Sequence, residues 1–183
     1  MKSVLLSIKP KYCELIAGGI KTIEVRKTKP KFDTPFKCYI YCIKDKNISF
    51  WTGKRYSYAD DRSHNLFDVC GNGKVIGEFV CDEIFPIRVF ENGTIQDYMF
   101  RSMKKSCVPY DDIVNYIGNG CIGYGWHISN LKIYDTPKEL NEFRQCHKCE
   151  HYFYCKAGEY SCDGAYKLTR PPQSWCYVEE VEE

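Results

Sequence analysis

The order of apolar and polar positions divides the chain into short elements whose period changes several times. Val4 to Ile8 is a nearly continuous apolar run of strand length. Pro10 to Ala17 places Leu15 and Ile16 on one side of a short helix. Pro10 fits the first turn of that helix, where a missing N–H is harmless, and Gly18 and Gly19 suit the left-handed backbone that ends it. From Thr22 to Lys27 the period becomes two, so Ile23 and Val25 face one way and Thr22, Glu24 and Arg26 the other. Lys37 to Ile43 alternates as another strand. Residues 44–72 are polar and aromatic without a clean period, and predict a long loop with at most short local structure, a length that usually signals function or mobility. Strand chemistry returns from Gly73 to Ile84. Tyr98 to Met103 and Tyr110 to Ile117 have helical spacing. Cys121 to Tyr134 predicts a strand pair or one bent strand, with Gly123 and Gly125 permitting the bend. Pro137 to Phe143 predicts a short helix, and a last short strand follows Pro171 and Pro172. Strands separated by a few short helices predict an α+β chain, a compact mixed β-barrel rather than a doubly wound sheet.

Composition narrows this picture. At 183 residues the chain can bury one real core, with room for a small appendage. It has no run of 18 apolar residues, which excludes a membrane-spanning helix. Its start reads as a structured strand rather than a signal peptide, giving a cytoplasmic address as the expectation. In such a compartment the twelve cysteines stay reduced. Most of Cys13, Cys38, Cys42, Cys70, Cys81, Cys107 and Cys121 then serve as small core residues.

Charge is uneven along the chain. Residues 1–60 hold 13 Lys and Arg against 5 Asp and Glu, a balance of +8, while residues 61–183 hold 13 against 19, a balance of −6. The basic part also carries Tyr39, Tyr41, Trp51, Tyr56 and Tyr58. Lysines among aromatics suit a partner with phosphates and flat bases, such as single-stranded RNA or a nucleotide. The plain alternative is a solvated surface that binds nothing.

The candidate chemistry gathers near the first helix end. Lys21, Glu24 and Arg26 bring a cation, a carboxylate and a guanidinium together beside a turn, and predict a polar cleft. Lys21 and Arg26 suit phosphate oxygens, and Lys9 adds a third positive charge just before the helix. Glu24 pairs with Arg26 or accepts hydrogen bonds from a base edge or ribose hydroxyl; the bland reading is a surface ion pair of little worth. Trp51, Tyr56 and Tyr58 are candidates for stacking on bases or for anchoring the loop. His64 and His127 are the other candidates for proton transfer, although a lone strand histidine is more often structural. Trp126 reads as core.

A separate signal closes the chain: Cys146-x2-Cys149-x5-Cys155-x6-Cys162. A C-x2-C turn lets two thiolates meet one ion at about 2.3 Å each, and two more close a tetrahedron. His147, His151 and Cys176 are substitutes for a missing ligand. This aromatic segment has little apolar mass, so a metal would supply its stability. Zinc leads as a structural ion, and an iron–sulfur cluster is the alternative.

The run Gly19-Ile20-Lys21-Thr22-Ile23-Glu24-Val25-Arg26 resembles the GxKxxExR signature of the ASCH domain (activating signal cointegrator homology), within the PUA-like superfamily. Ser7-Ile8-Lys9-Pro10, the strand Tyr39–Ile43 and the run Val75-Ile76-Gly77-Glu78-Phe79 fall in the matching order. The resemblance covers residues 1–140, and the chain as a whole, ending in RPPQSWCYV, is similar to ASCH proteins of phages and prophages. It implies a PUA-like β-barrel over residues 1–143 with short surrounding helices, and a cysteine-rich extension over 144–183 packed on it. It also implies an RNA- or nucleotide-binding module whose cleft is lined by Lys9, Lys21, Thr22, Glu24, Arg26 and Trp51. Two alternatives accompany it. One is an enzyme acting on RNA or modified nucleosides, a ribonuclease or amidohydrolase, with Lys21 and Glu24 as its catalytic candidates. Relatives that hydrolyse acylated cytidine use a lysine, matched by Lys21, and a threonine three residues later, where this chain has Glu24. The other is a phage-encoded adaptor for a host protein.

Overall fold

The computed structural model describes residues 2–52, 69–96, 103–146 and 165–181. Strand β1 (Lys2–Ile8) shows why its sequence is apolar throughout: Val4, Leu5 and Leu6 are wholly buried. The strand is interior, antiparallel to β12 (Trp175–Glu179) on one side and parallel to β3 (Phe36–Cys42) on the other. Leu5 lies opposite Cys176 and Tyr39 in the two ladders.

Helix α1 (Pro10–Ala17) buries Cys13 and Ile16. Its end is a Schellman turn. Ile20 N–H donates to Leu15 O at 2.9 Å and Gly19 N–H to Ile16 O at 2.9 Å, with Gly19 at φ +70°. Only a residue without Cβ takes that backbone at no steric cost. The chain reverses there and enters β2 (Ile23–Arg26).

The remaining strands are β4 (Trp51–Thr52), β5 (Val69–Cys70), β6 (Val75–Cys81), β7 (Ile84–Arg88), β8 (Ile122–His127), β9 (Ser129–Lys138), β10 (Arg144–Cys146) and β11 (Ala165–Lys167). Helix α2 (Tyr110–Ile117) precedes β8. The strands form three sheets, in the orders β11-β10-β12-β1-β3-β6-β9, β2-β8-β7 and β4-β5. The chain is thus α+β with short helices, and among the described residues the sheets are open ladders rather than one closed barrel. The stretch 121–134 is a strand pair divided between two sheets. Of Pro137 to Phe143, the first two residues end β9 and Leu140–Glu142 form a 3-10 turn in place of a helix, closed by Glu139 N–H donating to Glu142 Oε1 at 2.6 Å. The long 44–72 stretch contains the short β4–β5 ladder. The helix expected from Tyr98 falls mostly outside the described residues.

The chain divides into two units. The first comprises residues 1–11, 37–78 and 132–183, with a core around Leu5, Tyr39, Val75, Phe143 and Val178. The second comprises residues 12–36 and 79–131, with a core around Val25, Ile87, Val89, Met103, Ile113 and Ile117. No helix among the described residues is long and apolar enough to cross a membrane.

Candidate nucleic-acid interface

The polar signature lies in the second unit. The Schellman turn hands the chain to Lys21, whose N–H donates to Leu15 O at 3.0 Å. The Lys105 carbonyl then accepts from Thr22 N–H at 3.0 Å and Ile23 N–H at 3.3 Å, so the turn at 103–108 is docked on the start of β2. Strand β2 pairs antiparallel with β8, with Ile23 opposite His127, Glu24 opposite Trp126 and Arg26 opposite Tyr124. Val25 faces the core built by Ile87, Ile113 and Ile117. Thr22, Glu24 and Arg26 share the other face with Trp126.

The two glycines of β8 make room rather than a bend. A Cβ on Gly125 would collide with the Phe85 ring, and one on Gly123 would lie 2.6 Å from Ile117. Their absent side chains let Phe85 and α2 close on the strand.

The alternation of β2 has the expected faces, yet both are buried. Lys21 is 1% exposed, Glu24 8% and Arg26 5%. Trp126 is fully buried on the polar face and meets Phe36 edge-on at 5.7 Å. Lys21 Nζ donates to Ser106 O at 2.6 Å and Ile23 O at 2.8 Å, lies 3.1 Å from Glu24 Oε2, and sits 5.1 Å from the Tyr12 ring centre. Arg26 Nη2 lies 3.0 Å from Glu24 Oε1. One carboxylate is thus clamped between two cations away from water. Such a triad has a large desolvation cost that its own attractions offset only with good geometry. Beside the triad, Thr22 Oγ1 has no hydrogen-bond partner among the described residues, whereas Glu24 Oε2 is matched by the Lys21 ammonium. Both lie on the same strand face, two residues apart.

Lys9 is exposed ahead of α1, and Trp51 is 52% exposed on β4; both belong to the first unit. His127 Nδ1 lies 2.7 Å from Asp82 Oδ1. That hydrogen bond holds the Asp82 carboxyl below its ordinary value. By register His127 is on the face of β8 opposite Trp126, away from Glu24. Trp126 is core. Cys13, Cys38, Cys42 and Cys81 are buried as small packing residues, Cys70 and Cys107 are half-buried, and Cys121 is exposed. Burial pushes the Cys81 thiol up to about 12.

Cys146 ends β10, but its side chain, together with Cys149, Cys155, Cys162, His147 and His151, lies outside the described residues, as do Tyr56, Tyr58 and His64. Cys176 is buried in β12. Among the described residues no group of three His, Cys, Asp or Glu side chains is placed to hold a metal ion.

Sequence reading missed the contacts that fix the triad. Ser106 is 85 positions from Lys21 and has no local pattern. It also missed two pairs just past β2: Lys27 Nζ lies 5.3 Å from the Tyr116 ring centre and Lys29 Nζ 5.7 Å from that of Tyr124. The alternating lysines were visible, but their ring partners come from α2 and β8.

No family model and no curated protein matches this chain. Solved structures do. The ASCH protein from Zymomonas mobilis aligns over 97% of this chain and 88% of its own, with TM-score 0.56 and 15% identity. A tyrosine-to-phenylalanine variant of that protein aligns over 98% and 92%, with TM-score 0.57 and 14% identity. A serine-to-alanine variant gives 97% and 89%, TM-score 0.56 and 14% identity. The chain therefore has the fold of these ASCH structures.

Proposed function

We propose that the chain is an ASCH-family module that recognises single-stranded RNA or a nucleotide through the second unit. The observation that supports this reading is the buried Lys21–Glu24–Arg26 cluster with Thr22 beside it. On the strand face that carries Glu24, Thr22 Oγ1 has no hydrogen-bond partner among the described residues. Leaving such an atom unmatched away from water costs about 1–3 kcal/mol, which a ligand's donor would recover. A purely structural element would do better with apolar residues of the same volume. In this reading Glu24 and Thr22 accept from or donate to the ligand, while Lys21 and Arg26 hold the carboxylate in place.

Recognition is favoured over hydrolysis. A lysine acting as base needs a lone pair directed at its substrate. Lys21 Nζ instead donates to two carbonyls and faces a carboxylate. In the same reading Cys146, Cys149, Cys155 and Cys162 bind a structural zinc ion, which elemental analysis of the purified protein would count directly.

The test is fluorescence anisotropy with a labelled single-stranded oligoribonucleotide. Wild type is expected to bind with an affinity that falls as salt rises. Glu24→Gln, kept below its melting temperature and verified as folded by circular dichroism, is expected to bind at least ~10-fold more weakly, a loss of about 1.4 kcal/mol. Equal binding by a folded Glu24→Gln protein would refute the assignment of this cluster.

A further inference from the structure

The buried signature raises a question of charge. Lys21 and Arg26 are almost wholly enclosed and already face Glu24, so a polyanion's phosphates need other cations. The end of β2 supplies them. Lys27 and Lys29 are exposed, and neither forms an ion pair with a described residue. Each lies over an aromatic ring of the same unit: Lys27 over Tyr116 of α2, and Lys29 over Tyr124 of β8. Tyr116 is 39% exposed and Tyr124 is half-buried.

Lys27 and Lys29 stand two residues apart just past β2, which ties the two pairs together along the chain. Tyr124 is the register partner of Arg26, one residue before Lys27. Asp111 and Asp112, the acids of α2, pair with neither lysine among the described residues.

We infer that Lys27, Lys29, Tyr116 and Tyr124 form a lip that holds the backbone and bases of single-stranded RNA beside the buried signature, an inference that rests on the nucleic-acid reading above. An ammonium over a ring is held weakly at an exposed site. A phosphate draws the lysine off, and the uncovered ring face becomes a platform for a base, the combination on which sequence-tolerant single-strand binding depends. Flat bases stack on an uncovered ring face and phosphates meet the lysines at the spacing of a nucleotide strand, which is why the lip favours RNA over an anionic membrane surface.

The experiment titrates a fluorescein-labelled 12-nucleotide oligouridylate from about 50 to 200 mM salt. The proteins are wild type, the Lys27→Gln/Lys29→Gln double variant and Tyr116→Ala. Each neutralised phosphate contributes about 0.7 to the slope of log K against log salt, so the lysine variant is expected to lower its magnitude by about 1.4. Tyr116→Ala is expected to weaken binding about 5- to 100-fold with the slope unchanged, the range of one base–aromatic stack. Wild-type binding with unchanged affinity and slope in the lysine variant would overturn the lip while leaving the buried cluster to stand or fall on Glu24→Gln. Absence of wild-type RNA binding would overturn both. Lysine-dependent binding to phosphatidylserine vesicles at the same protein concentration, with no loss on RNA for Tyr116→Ala, would overturn the lip in favour of a lipid surface.

Discussion

At the scale of single residues, the second unit is governed by what Glu24 balances. Removing one partner from a buried ion cluster typically costs about 3–5 kcal/mol, because the other charge is left enclosed without compensation. Glu24→Gln is therefore expected to lower unfolding free energy by about that amount in urea titration, far more than a surface ion pair would. The His127–Asp82 pair is the contrasting case, with side chains 36% and 45% exposed. Its hydrogen bond lowers the Asp82 carboxyl, so its contribution is present above the ordinary carboxylate range and lost as pH falls through the lowered value. Wild type and Asp82→Asn should thus differ by less than about 1 kcal/mol at pH 7 and begin to converge only as pH falls below about 4, as read from denaturation across pH. Thiol chemistry separates in the same way. With Cys81 pushed up to about 12 and Cys121 exposed, brief alkylation of the native protein at pH 8 should label Cys121 and leave Cys81 unmodified, by peptide mass spectrometry.

At the scale of elements, β8 is the part whose sequence was easiest to misread. Its glycines suggest a bend, but each stands where a side chain from another element needs the space. Gly125→Ala is expected to destabilise by about 1–3 kcal/mol through overpacking against Phe85, and Phe85→Leu in the same chain to restore part of it. A bend-forming glycine would show no such rescue. Helix α1 and strand β2 were legible because their signals are local: Pro10 at the start, Gly19 at the stop, and a period of two from Thr22. The burial of β2's polar face was not legible. Alternation tells which residues share a face but not what covers it, and here the turn at 103–108 and Trp126 arrive from about 80 to 100 positions away. The fold class was legible for the same local reason, whereas the division of 121–134 between two sheets depends on pairing partners that no window of sequence contains.

At the scale of the whole molecule, the end of the chain belongs to the same sheet as its beginning. Strand β12 lies between β10 and β1, with five residue pairs joining it to β1 from Lys2–Glu179 to Leu6–Trp175. A chain ending at residue 143 loses β10, β11 and β12 and leaves the apolar β1 as an unpaired edge, which promotes aggregation. Such a truncation is expected to be insoluble or molten; a soluble, cooperatively unfolding 1–143 fragment would show that the sheet tolerates the loss. What matters most is where a ligand sits. Hydrogen–deuterium exchange of the full chain, with and without saturating single-stranded RNA, tests it directly. Slowed exchange is expected in peptides spanning 20–31 and 103–124, which carry the buried cluster, its docking turn and the lysine–tyrosine lip. Protection confined to residues 1–11, 37–78 or 132–183, with those two stretches unchanged, would contradict it.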